Sequence, residues 1–137
     1  MKIHTTNYQN TFITVAEDCK ADTGEVPPIK GDQKSVANLQ YKMLKDSPYK
    51  YTSDDVLFQV YAHRNDLIED ELINARALFF SKGQPCMRCS PLTKRYGWGV
   101  HNDQDGKIAI FSRSSKDYVK ISSTKPIQVL KAMKSSK

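Results

Sequence analysis

The sharpest pattern of large and small positions lies between Tyr96 and His101, where Tyr96, Trp98 and Val100 alternate with Gly97, Gly99 and His101. In an extended chain this puts three large side chains on one face and almost nothing on the other. Asn102 to Gly106 has turn chemistry. Lys107 to Ser112 then returns with Ile108 and Ile110 on one side and Ala109 and Phe111 on the other, which predicts a β-hairpin from Tyr96 to Phe111. Glycine weakens a strand, so two at alternate positions imply a close neighbour on the bare face, either a packed helix or a ligand, the helix being the commoner case.

Four further segments carry periodicity. Asn10 to Ala16 is rich in β-branched and aromatic residues, with Phe12 and Thr14 opposite Ile13 and Val15, and predicts a first strand. Val36, Leu39, Met43 and Leu44 form one apolar stripe of a helix that Asp32 would cap and Pro48 would stop. Val56 to His63 is apolar on both faces and is expected to be a central strand, with His63 and Arg64 at its end either lining a site or simply solvated. Asp66 and Glu69 have the spacing of a capping box for a helix through Phe80, with Ile68, Leu72, Ala75 and Phe79 facing the core and Gly83 beyond its end.

The connections are legible too. Glu17 to Gly31, with Gly24, Pro27, Pro28 and Gly31 and no periodicity, predicts a long surface loop, functional or a strap across the core. Tyr49 and Tyr51 form a short aromatic connection that covers a core edge or, less commonly, stacks on bases. Asp54 and Asp55 read as turn or capping residues rather than paired catalytic carboxylates. After the hairpin, Ser114 and Asp117 have capping spacing for a short helix with Tyr118 and Ile121, and Pro126 with the alternation of Ile127, Val129 and Met133 favours an edge strand over a terminal helix. Residues 134–137 are a basic, frayed end. The expected fold is α+β: a mostly antiparallel sheet of four to five strands with two longer helices packed on one face.

Composition changes this picture little. A chain of 137 residues, 39% apolar and 26% charged, makes one globular domain over 1–137 that buries about two thirds of its unfolded surface. Charge changes it more. Residues 1–80 hold 9 Lys+Arg against 12 Asp+Glu, a net of −3, whereas residues 81–137 hold 12 against 3, a net of +9. The C-terminal part is therefore the candidate to meet an anion, unless its lysines are solubilising residues that pair with the acidic part. The first residues lack an apolar core of secretory length, and no run approaches the ~20 apolar residues of a spanning helix. Three cysteines, an odd number, suit a reducing compartment. The expectation is a cytoplasmic protein without a membrane partner.

Candidate chemistry collects between Ser81 and Arg113. Arg88, Lys94, Arg95, Tyr96, Trp98 and His101 are the candidate binding residues: potential cations near two aromatics hold a phosphate or carboxylate while a ring stacks on a planar group. The plainer reading makes Tyr96 and Trp98 core. Cys86 and Cys89 form a single CxxC. A structural zinc site wants four ligands, and Cys19, His4, His63 and His101 show no matching spacing. A thioredoxin-type pair would follow a strand and open a helix, whereas this one follows a helix, so burial as small apolar side chains is the commoner fate. No nucleophile elbow, P-loop or HExxH is present, and no cofactor is expected.

The segments HTTNYQNTFITVAEDC, GEVPP with KGDQKSVANLQY, SPYKYTSDDVLF and SPLTKRYGWGVHNDQDGKIAI together resemble a family of small bacterial proteins catalogued as a domain of unknown function. The resemblance covers nearly the whole chain, with KRYGWG its most specific part. It implies a single-domain cytoplasmic protein and brings no activity, cofactor or catalytic residue. Three functions stay open: a binding module for an anionic ligand, a nucleic acid or an acidic protein; a small enzyme acting on an acidic metabolite through His101 and Arg95; and a metal or redox site at Cys86 and Cys89.

Overall fold

The computed structural model describes residues 3–31, 34–124 and 127–135. Strands β1 (Thr11–Thr14), β2 (Trp98–Asn102), β3 (Ile108–Ser112) and β4 (Gln128–Lys131) form one sheet in the order β3-β2-β1-β4. The expected hairpin is β2–β3, paired antiparallel with Val100 opposite Ile110, and its turn closes through Gly106 at φ 78°. β1 lies antiparallel to β2, with Ile13 opposite Val100. β4 lies parallel to β1, with Ile13 opposite Leu130. The sheet is therefore mixed rather than mostly antiparallel, and the α+β class holds. Pro126, read as favouring the edge strand, and Asp32, read as a cap, lie outside the described residues.

The main correction concerns Val56–His63, which is not a strand but most of helix α2 (Ser53–Arg64). Thr52 opens it: Thr52 Oγ1 accepts from the Asp55 amide and Asp55 Oδ2 accepts from the Thr52 amide, both at 3.1 Å. This reciprocal cap satisfies two otherwise orphaned donors. The acidic first turn and the basic pair His63 and Arg64 in the last complement the helix dipole. Apolar side chains lie on more than one side of α2 because α1, α3 (Leu72–Phe79) and the core beneath Val56 pack on it from different sides, while Gln59, Tyr61, His63 and Arg64 stay exposed. Two-sided apolarity reports enclosure, and a helix can be enclosed as well as a strand.

Helix α1 (Val36–Asp46) starts from Ser35, whose Oγ accepts from the Asn38 amide at 3.2 Å. Ala37, Asn38, Gln40 and Leu44 are its buried residues, so its inner face is rotated from the expected stripe, and Val36, Leu39 and Met43 are half-buried. α1 and α2, of 11 and 12 residues, are the longest helices among the described residues. The expected helix from Asp66 is shorter than its spacing suggested. Asp66 sits at φ 51° and is no cap; Ile68 N–H donates to Glu71 Oε1 at 3.0 Å, a short 3-10 turn follows, and α3 begins at Leu72. α3 buries none of its own residues, and Ile68, Ile73 and Leu78 are exposed, so the expected core-facing helix is peripheral. The late helix α5 (Lys116–Ser122) is capped by Ser115 rather than Ser114.

The main core lies on the sheet face bearing Ile13, Trp98, Val100 and Ile108, where Leu44, Val56, Met87 and Leu92 pack against it. The opposite face carries Phe12, Gly99, His101 and Ala109 and is covered by α5. Tyr118 meets Phe12 edge-on with ring centroids 5.0 Å apart, and its hydroxyl accepts from the Val15 amide at 2.9 Å. A Cβ placed on Gly99 would sit 2.6 Å from Tyr118 Cε2. At Gly99 the bare face thus admits a helix, the commoner of the two expected neighbours, whereas at Gly97 the close neighbour is the Thr23 carbonyl of the loop 17–31.

Two loops act as straps. Residues 17–31 cross the hairpin: Glu25 N–H donates to the Tyr96 carbonyl and Trp98 Nε1 donates to the Glu25 carbonyl, each at 2.8 Å. The N-terminal segment crosses the helical side. There the Thr6 amide and hydroxyl donate to Asp54 Oδ1 at 2.7 and 2.6 Å, and the Thr5 hydroxyl donates to Asp54 Oδ2 at 2.7 Å. A buried carboxylate is tolerable because three donors converge on it. No helix among the described residues is long and apolar enough to cross a membrane.

Candidate functional site

The six residues expected to form a binding surface do not share one. Trp98 and His101 are an odd number of places apart on β2, so they point to opposite faces of the sheet. Trp98 is core, 6% exposed, against Tyr41 at 5.6 Å, and the cation over its ring is Lys45 at 5.5 Å. Tyr96 packs half-buried against the same core. On the other face His101 Nδ1 is 2.8 Å from the Tyr49 hydroxyl, and burial holds its pKa below the ordinary 6.5 against an opposing pull from Asp103. Tyr49 itself is raised by burial and by Asp103 and Asp117. A neutral imidazole accepts the phenol proton at Nδ1 and carries its own on Nε2.

The cations also separate. Arg88 Nε donates to the Lys131 carbonyl at 2.7 Å, tying the cysteine turn to β4. Lys94 and Arg95, at the end of the short helix α4 (Pro91–Lys94), line a hollow with Lys20, Asp18 and Ser135. Part of the basic half is neutralised within the chain, since Lys131 and Lys134 clasp Glu17 at 2.6 and 3.3 Å. Their contacts hold the Glu17 carboxyl below its usual range, the Lys131 hydrogen bond leading.

A different concavity is better formed. A cleft of about 410 Å³ opens between α1, α2, the end of α3 and the loop 84–91. Its apolar wall is Val36, Leu57, Val60, Phe79, Pro85 and Pro91. Tyr61, also in the lining, packs against Phe79 with ring centroids 4.8 Å apart and the rings tilted by 40°. Gln84 and Asn65 are held by their own amides, Gln84 Nε2 donating to the Phe79 carbonyl at 2.7 Å and Asn65 Nδ2 to the Tyr61 carbonyl at 2.8 Å. Arg64 is the one charged side chain in the lining; no acidic residue is among the lining residues, and no ion pair holds Arg64 among the described residues. Size, apolar walls and a few placed polar groups are the usual make-up of a small-molecule site.

Cys86 and Cys89 also line this cleft. They span one tight turn, the Cys89 amide donating to the Cys86 carbonyl at 2.9 Å. Cys86 Sγ lies 3.3 Å from the Tyr8 hydroxyl, which the N-terminal strap brings over the cleft's edge. Burial first, then the Cys86 contact, raises the Tyr8 pKa above its ordinary 10.0, with Arg88 opposing. All three cysteines are free. No cluster of three or more His, Cys, Asp or Glu side chains placed to hold a metal occurs among the described residues.

A family model described as a family of unknown function, DUF6157, matches residues 3–137. The chain belongs to this family. No curated protein and no solved structure was found to match the chain. In this DUF6157 protein the cleft brings Arg64, Cys86 and Cys89 to one place. The sequence pointed to Arg64 and to the Cys86 and Cys89 pair separately, and not to their convergence. The missed signal was the Thr52-x-x-Asp55 capping spacing, which would have turned residues 53–64 into a helix and put Leu57, Val60, Tyr61 and Arg64 along one side of it.

Proposed function

We propose that this DUF6157 protein is a binding module for a small ligand with an apolar body and one anionic group, held in the cleft between α1, α2 and the loop 84–91. The observation that carries the reading is an apolar cleft whose only charged lining residue, among the described residues, is Arg64. A carboxylate or phosphate takes the guanidinium in a bidentate contact while its hydrocarbon or aryl part lies on Val60, Tyr61 and Phe79. An anionic ligand, expected from the sequence, is retained, and its place moves from the hairpin to α2.

The test uses 8-anilinonaphthalene-1-sulfonate, an aryl anion of suitable size, followed by its fluorescence and competed by aryl and alkyl carboxylates. Saturable binding of one probe per chain, weakened about tenfold by Arg64→Gln, is expected, since a hydrogen bond to a charged group contributes about 1.5–3 kcal/mol. Equal affinity in the Arg64→Gln protein would refute the reading.

A second reading rests on the hollow where Lys20, Lys94 and Arg95 gather beside Asp18. It suits a polyanion such as a nucleic acid, bound through released counterions and weakened by salt. Charge reversal at Lys94 and Arg95 abolishes salt-sensitive oligonucleotide binding under this reading and leaves probe binding in the cleft intact.

A further inference from the structure

We infer that Cys86 and Cys89 are a redox-active dithiol on the wall of the cleft, exchanging with small disulfides to form an intrachain disulfide. The inference is independent of the ligand reading, because it needs neither Arg64 nor a bound anion.

Three observations carry it. The first is backbone geometry: the 2.9 Å hydrogen bond from the Cys89 amide to the Cys86 carbonyl closes a turn. Such a turn brings the Cα atoms of its first and fourth residues within about 7 Å, against the roughly 4.4–6.8 Å that a disulfide spans. The second is orientation, since both cysteines line one cleft and neither is wholly buried. The third is the asymmetry of their surroundings. Cys89 is exposed, whereas Cys86 is half-buried with the Tyr8 hydroxyl 3.3 Å from its sulfur. Cys19, the remaining thiol, is not among the residues lining this cleft.

The roles follow from access. The Cys89 thiolate attacks one sulfur of a small disulfide RSSR, forming a Cys89–S–S–R bond and releasing RS⁻. Cys86 then gives up its proton to solvent or to the departing thiolate. As a thiolate steadied by the Tyr8 hydroxyl, it attacks Cys89 Sγ and releases the second RS⁻. The two protein thiols lose two electrons and two protons in all, and RSSR becomes two RSH. Tyr8 is a positioning residue here, holding the resolving sulfur toward its partner. Closing the bond joins two side chains of the cleft wall, so oxidation also reshapes the cavity.

The experiment uses the full-length chain incubated with oxidised glutathione and digested with trypsin without reduction. Cleavage after Lys82, Arg88 and Lys94 separates the two cysteines, so an intrachain bond appears as the peptide 83–88 linked to the peptide 89–94. That linked species, two hydrogens lighter than the sum of the two peptides, is expected as the main product, with Cys19 left alkylatable. Cys86→Ser is expected to accumulate the glutathione adduct on Cys89, because nothing resolves it. Tyr8→Phe is expected to lengthen the lifetime of that adduct in the otherwise native chain about tenfold, a change that loss of fold alone would not make specific to the second step. Stable glutathione adducts on both cysteines, linkage through Cys19, or no reaction under conditions that oxidise a model dithiol would each overturn the inference.

Discussion

Replacing Gly99 by alanine is the sharpest test of how the two faces of the hairpin are used. If the bare face were kept open for a ligand, alanine would be welcome, because glycine in a strand costs about 0.5–1 kcal/mol relative to alanine. The structure gives the opposite sign. The new Cβ would lie 2.6 Å from Tyr118 Cε2 and 2.7 Å from Phe12 Cζ, where real contacts essentially never fall. Neither ring moves freely: Phe12 is fully buried, and Tyr118 is tethered by its hydroxyl to the Val15 amide at 2.9 Å. Overpacking of this kind costs about 1–3 kcal/mol, and displacing Tyr118 forfeits its hydrogen bond, about 1 kcal/mol more. Set against the strand propensity gained, a net loss of about 1–3 kcal/mol is expected, a fall in melting temperature of about 3–10 °C. Urea unfolding followed by Trp98 fluorescence measures it. Adding Tyr118→Leu should recover much of the loss, since the smaller side chain vacates the collision. A Gly99→Ala protein as stable as the parent would refute the claim that helix α5 is what the glycine accommodates.

Two further outcomes are expected. Asp54→Ala strands the buried Thr6 amide and leaves the Thr6 hydroxyl only Ser53 Oγ as a partner, so it should cost about 1–3 kcal/mol and open residues 3–10 to proteolysis, whereas Asp54→Asn, which keeps an acceptor for Thr6, should cost clearly less. His101 has a folded pKa depressed below 6.5, so the unfolded chain binds the extra proton first. Its contribution is intact above pH 6.5 and is lost as pH falls through the folded value. Urea midpoints at pH 7.5 and 5.5 should therefore differ more for the parent than for His101→Gln, and equal differences would count against the half-buried, Tyr49-bound imidazole.

Local signals were legible where they were self-contained. The hairpin was readable because its alternation, its turn residues and its glycines all lie within one contiguous segment, and β1 because Phe12 and Ile13 are both buried in a short β-branched run. Helix α2 was misread because its pattern is not amphipathic. Val56, Phe58 and Val60 are buried while Leu57 turns toward the cleft, so period-2 and period-3.6 templates fit about equally well, and only the cap at Thr52 broke the tie. The parallel pairing of β4 with β1 was out of reach, because it depends on where the intervening helices deliver the chain. The candidate site failed to assemble for a local reason instead. Grouping Trp98 with His101 ignored the alternation that had already placed them on opposite faces.

The basic segment does not fold into one basic patch, for a related reason. A net of +9 over residues 81–137 is a property of a segment, and folding redistributes a segment over every side of the molecule. Lys131 and Lys134 turn to Glu17, Arg88 to the Lys131 carbonyl, and Lys94 and Arg95 to a hollow beside Asp18. The cation that faces a formed apolar cleft is Arg64, from the net acidic half, carried there by the last turn of a helix. In water two unit charges a few ångströms apart interact by only about 1 kcal/mol, and several times that beside low-dielectric walls. On the proposed reading, one guanidinium beside an apolar cleft is a stronger place for an anion than several lysines spread over an open surface.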